Sequence, residues 1–204
     1  MLKITAQFCS AIFKKTILDY HTIDHVDAEL KNPYPQNSME HILYNKAWID
    51  TVQWHLEDII RDPQINPIEA LQIKRRIDTS NQERTDMVEK LDDKILAEFA
   101  NVIPAADAKL NTESVGWAID RLSILCLKLY HMQEQAERID TNEEHKSKCA
   151  FKLRILQEQE IDLSLALNQL VEDIAEGKRK VKVYRQMKMY NDESLNPILY
   201  NRQK

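Results

Sequence analysis

Apolar residues recur along this chain at three- and four-residue spacing, and a few sharp interruptions divide the pattern into five predicted helices. The first runs from about Ile4 to Leu30 and stops at Asn32-Pro33-Tyr34-Pro35, where two prolines forbid continuation. The second opens after Ser38, an N-cap with Glu40 in the following turn, and ends at Arg61-Asp62-Pro63. Asn66 caps the third, Pro67 takes its first position and Glu69 stands three residues past the cap; the pattern then continues to about Phe99. The fourth spans Asn111-Thr112-Glu113 to about Arg138, and the fifth about Asn142 to Gly177. In the fifth, Cys149, Leu153, Leu156, Glu160, Leu163, Leu167, Leu170 and Ile174 are spaced alternately four and three, a heptad seam holding one carboxylate. Beyond Gly177, Lys and Val alternate without a partner strand, which reads as an extended strap.

Two glycines in 204 residues are too few for the turns of a sandwich or barrel, or for the glycine-rich loops of a doubly wound sheet. The expected fold class is therefore all-α: one helical-bundle domain over 1–204, with a body (1–177) and a basic strap (178–204). The body carries 20 Lys and Arg against 31 Asp and Glu, the strap 8 against 2, so the strap is expected to fold back on the body. A net charge of −5 argues against nucleic acid as a partner. Cys9, Cys126 and Cys149 form no CxxC pair and read as small hydrophobes in a reducing cytosol. Gln7, Ser10, Lys14 and Lys15 interrupt the N-terminal apolar residues, and no stretch reaches the length of a span. A cytoplasmic protein with no membrane partner is expected.

Polar residues inside the apolar stripes are the candidates for function. On the third helix Asn81 and Arg84 fall on the arc of Ile73, Ile77, Val88, Leu91 and Ile95 at about 100° per residue. A buried guanidinium needs a carboxylate, an anion or a wet cavity. His41 and Asn45 lie in the stripe of Trp48, Val52, Leu56 and Ile59, with His55 and Asp58 at its border. Asp120 and Arg121 on the fourth helix and Glu160 on the fifth complete an inward polar set. Such a set makes either a buried ion-pair network or a binding cleft.

The three-residue spacing of His55 and Asp58 suits an acid–base pair. A di-iron site needs two Glu-x-x-His motifs, whereas His131-Met132-Gln133-Glu134 runs in the reverse order and occurs once. His21 and His25 stand four apart beside Asp24, but near a helix end they read as exposed, so no metal and no cofactor are expected. No phosphate-binding glycine loop or nucleophile elbow is present.

Three runs resemble a bacterial family of helical domains of unknown function, known chiefly from Bacteroidetes. They are Lys46 through Trp54-His55-Leu56-Glu57-Asp58 to Pro63, Lys74 through Asn81-Gln82-Glu83-Arg84-Thr85-Asp86, and Thr112-Glu113-Ser114-Val115-Gly116 through Asp120-Arg121-Leu122-Ser123. The tail Tyr190-Asn191-Asp192 with Asn196-Pro197-Ile198-Leu199-Tyr200 resembles it too. Val115 departs from the pattern, which has proline there. The resemblance implies an intracellular helical protein. Its members are often encoded beside glycosyltransferases of cell-envelope polysaccharide synthesis, which points to sugar metabolism.

Two functional readings follow. In one, Asn81, Arg84, Asp120, Arg121 and Glu160 line a pocket for a small polar or anionic ligand, with His55 and Asp58 for acid–base chemistry. In the other, the bundle is a non-catalytic interaction or scaffold protein, a homodimer along the fifth helix, whose buried charges fix register.

Overall fold

Thr5, Ser38, Asn66, Ser114 and Asn142 each turn a side-chain oxygen onto a backbone N–H two or three residues ahead, and each starts a helix. In a computed structural model, which describes residues 4–187, 193–195 and 198, these are α1 (Ala6–His21), α2 (Met39–Ile59), α3 (Pro67–Glu98), α4 (Val115–Glu137) and α5 (Glu143–Ala175). Among the described residues there is no strand, and no helix is long and apolar enough to cross a membrane. The tail pairs Tyr190-Asn191-Asp192 and Asn196-Pro197 lie outside the described residues.

The helix boundaries differ from expectation at two places. α1 ends at His21, not Leu30: the backbone and hydroxyl of Thr22 both bond back to Asp19, and Asp24 turns left-handed at φ 52°. α4 starts at Val115, with Ser114 as its cap, so Val115 occupies the first helical position, where proline is ordinarily tolerated.

Helix α4 is the hub of the bundle and touches each of the other four helices. Ile119, Leu122 and Leu127 on it are fully buried, as are Phe13 and Ile17 of α1, Leu43 and Tyr44 of α2, and Leu91 and Ile95 of α3. The seam of α5 is used within the chain: Cys149, Leu167 and Ile174 are buried, and Leu163 and Leu170 pack against the same core. The exposed apolar residues of α5 are others, Phe151, Ile155, Ile161 and Leu165. His41 and Asn45 clamp the α1–α2 connection, since Asn32 donates to the Asn45 side chain (2.6 Å) and to the His41 carbonyl (2.9 Å). All three cysteines are buried and free, and burial pushes the Cys9 and Cys126 thiols up to about 12 and about 11.

Over its described part, residues 178–187, the strap returns onto the body. Lys109 and Arg179 form an isolated parallel bridge, Arg179 pairs with Asp173, and Arg185 reaches Glu89 and Asp93 on α3. Gly177 allows the turn, at φ +72° and with its Cα side closed by the Ile103 carbonyl.

Gly116 is held to glycine for a different reason. Asp92 of α3 accepts from the Gly116 N–H (2.8 Å) and the Ser114 hydroxyl (2.6 Å), so a carboxylate caps the start of α4. A Cβ at Gly116 would stand 2.6 Å from Asp92 Oδ1. Helix propensity alone makes Gly→Ala stabilising by about 1 kcal/mol. Displacing the Asp92 cap forfeits about 1–3 kcal/mol, so Gly116→Ala is expected to lower stability in a denaturant melt.

Candidate functional site

Lys46 and Asp50 lie one turn apart on the face of α2 that meets α4, and their side chains are 0% and 1% exposed. Lys46 donates to Asp50 Oδ2 and to Asp120 Oδ1, the latter at 2.8 Å. Arg84 of α3 closes on Asp120 with two parallel bonds, Nε to Oδ1 at 2.8 Å and an η nitrogen to Oδ2 at 2.6 Å. The Ser123 hydroxyl donates to Asp50 Oδ2 at 2.6 Å. Two cations thus balance two anions at the junction of α2, α3 and α4. Burial pushes the Asp50 carboxyl up, with Lys46 pulling it back. Burial acts on Asp120 in the same sense, but the Arg84 hydrogen bonds and the Lys46 charge outweigh it and hold it below the ordinary range.

One oxygen in this network is unmatched. Asp50 Oδ1 is buried and accepts no hydrogen bond; the Arg84 Nε beside it is 3.6 Å away, too far to donate. Asp50 lines a cleft of about 340 Å³ together with Gln53, Trp54, Asp58, Arg61 and Arg84. The Arg84 side chain, 28% exposed, therefore belongs to both the core network and the cleft wall. Gln53 donates to Asn81 (2.9 Å) and accepts from Ser80 (3.2 Å), which fixes its amide at the rim.

The other expected residues sort differently. Arg121 points outward, 65% exposed, and pairs with Glu113 at 2.9 Å. The expected inward direction of Arg121 opens to solvent at this height of α4. Glu160 pairs with Lys14 of α1 at 2.7 Å and takes no part in the network. Asp58 is exposed on the cleft and does not orient His55. The His55 ring meets histidines from two other helices instead.

Those three imidazoles, His21, His55 and His131, sit at the corners of a triangle with ring centres 5.2–5.4 Å apart. Nε2 of His55 is 3.2 Å from Nε2 of His21. Nδ1 of His21 faces the Ile17 carbonyl (2.7 Å) and Nδ1 of His131 faces Glu134 (2.8 Å). Both partners accept, so both Nδ1 atoms carry the proton and both Nε2 atoms carry a lone pair, that of His21 facing His55 Nε2. His131 Nε2 is buried and accepts from no donor. Trp54 stacks on His131, with centres 4.9 Å apart, and also lines the Asp50 cleft, so one indole separates the two polar centres. Glu134, at the wrong spacing for a di-iron motif, is what holds His131.

A family model described as Protein of unknown function (DUF4254) matches residues 40–183, and the chain belongs to that family. No curated protein and no solved structure matches it. The matched stretch contains Lys46, Asp50, Arg84, Asp120, His55 and His131, whereas His21 precedes it.

Burial and the neighbouring histidines hold the His55 imidazole below its ordinary 6.5, and burial does the same to His131 against the pull of Glu134. The unfolded chain therefore takes up protons more readily than the folded one. The stability these groups allow is present above 6.5 and lost as pH falls through their depressed values. Denaturant melts across that window are expected to show the loss in the wild type and a smaller loss in His131→Gln.

Proposed function

We propose that this protein binds a small polar, polyhydroxylated ligand in the cleft between α2, α3 and α4, with a ligand hydroxyl donating to Asp50 Oδ1. The observation that carries this reading is that Asp50, a residue lining the cleft, has a buried carboxylate oxygen that receives no hydrogen bond. Buried acceptors are rarely left unmatched, and one that is calls for a partner from outside. The remaining wall fits the same chemistry. Trp54 offers an apolar face, the Gln53 amide a donor and an acceptor, and the Arg84 guanidinium further donors.

An anionic ligand fits less well. Arg84 is already neutralised by Asp120, Arg61 is paired with Glu57, and Asp58 adds a negative charge to the rim. A neutral sugar or amino sugar meets these constraints, in keeping with the sugar chemistry that the resemblance implies.

Thermal melts with a panel of neutral monosaccharides, amino sugars and nucleotide sugars test the proposal. A ligand at about one hundred times its dissociation constant stabilises the fold by about 2.7 kcal/mol. Asp50→Asn is expected to weaken that ligand by about 1.5–3 kcal/mol, the worth of a hydrogen bond to a charged group. A panel in which nothing raises the melt, or an Asp50→Asn variant that responds like the wild type, would contradict it.

A further inference from the structure

The geometry points to a second site, beyond the ligand cleft: His21, His55 and His131 together form a binding site for one divalent transition-metal ion of the zinc class, held by their three Nε2 atoms.

Three independent features support it. The candidate ligand atoms all lie within 4.8 Å of one another, and the His21–His55 pair at 3.2 Å is already at ligand spacing. Two nitrogens bound tetrahedrally to zinc at about 2.0–2.1 Å are about 3.3 Å apart. Second, the tautomers of His21 and His131 are set for metal, and His55 has only to move the Nε2 proton it shares with His21 to Nδ1. The Ile17 carbonyl and the Glu134 carboxylate each take an Nδ1 proton, leaving Nε2 free to coordinate. A ligating histidine ordinarily makes this outer hydrogen bond, to a backbone carbonyl or a carboxylate. Third, His131 Nε2 is a buried lone pair that no protein donor satisfies. A histidine–histidine hydrogen bond accounts for two of the rings and leaves this third nitrogen unexplained; a metal ion accounts for all three.

The solvent side of the triangle is bordered by Asp24, whose Oδ1 is 3.9 Å from His55 Nε2. Three protein nitrogens with a fourth position at an accessible edge is the arrangement of zinc sites that keep water or an exchangeable ligand. The early end of α1 matters here, because the turn at Asp24 brings that carboxylate to the histidines. His25, four residues past His21, makes its contact with Asp27 instead and stands outside the cluster.

The test uses the full chain, stripped with chelator and dialysed against zinc or cobalt near neutral pH. One zinc ion per chain is expected, and the cobalt form should show the intense visible bands of a tetrahedral ion. Glu134→Gln keeps every imidazole and should weaken zinc binding about ten- to a hundredfold, the usual effect of losing an outer partner. His131→Gln should abolish stoichiometric binding, and His25→Ala should leave it unchanged. The proposal is overturned if the unmutated chain holds less than one zinc ion, or if its cobalt spectrum stays that of the hydrated ion. It is equally overturned if His131→Gln binds zinc like the wild type. None of these outcomes bears on Asp50, so failure here leaves the ligand cleft standing, and failure of the cleft leaves the metal site standing.

Discussion

Four charges meet at the junction of three helices, three of them buried, and they constrain how those helices pack. Removing Lys46, Asp50 and Asp120 from water is tolerable only if every charge meets an opposite one at hydrogen-bond distance. That demand fixes α2 against α4 through Lys46 and Asp120, and α3 against α4 through Arg84 and Asp120. Apolar packing alone would permit small slides along these helices. A bidentate guanidinium pair does not, because its two bonds are directional. The same closure leaves one acceptor over, since Asp120 takes both arms of Arg84 and Asp50 receives only Lys46 and Ser123, both on Oδ2.

That leftover oxygen and the histidine triangle are consequences of how α2 is faced. Residues 50, 54 and 58 follow one another up the helix, so a single face presents Asp50, then Trp54, then Asp58. His55 is turned one residue aside, toward α1 and α4, where His21 and His131 wait. Trp54 lies across both arrangements, stacked on His131 and bordering the cleft. The two centres are therefore neighbours with separate chemistry: one accepts a proton donor, the other offers lone pairs to a cation.

Much of the scaffold was legible in the residue order because caps and prolines are local signals. Ser38, Asn66 with Pro67, and Asn142 start helices where their chemistry says they should. The end of α1 was not legible, since Ile23, Val26 and Leu30 continue the apolar spacing past a turn that only Asp24's left-handed backbone reveals. Arg84 could be picked out because a long, one-sided helix such as α3 makes any charge in its stripe conspicuous. On α4, which is covered on most sides, angular position does not tell core from surface, so Arg121 reads as inward although it is exposed. Lys46 and Asp50 do not stand out in the residue order because α2 buries a second face besides its Trp48–Leu56 stripe, marked locally only by their i, i+4 pairing beside Leu43, Ala47 and Thr51. No local pattern could announce three histidines contributed singly by three helices.

The central claim is that Arg84 belongs to Asp120 and that Asp50 keeps an oxygen for something outside the protein. Double-mutant cycles in denaturant melts measure this directly, pairing Arg84→Met once with Asp120→Asn and once with Asp50→Asn. The account predicts a coupling to Asp120 that exceeds the coupling to Asp50 by about 1 kcal/mol or more, within the range that contacting pairs show. Equal couplings, or a larger one to Asp50, would mean a closed four-charge scaffold with no oxygen reserved, and would contradict it.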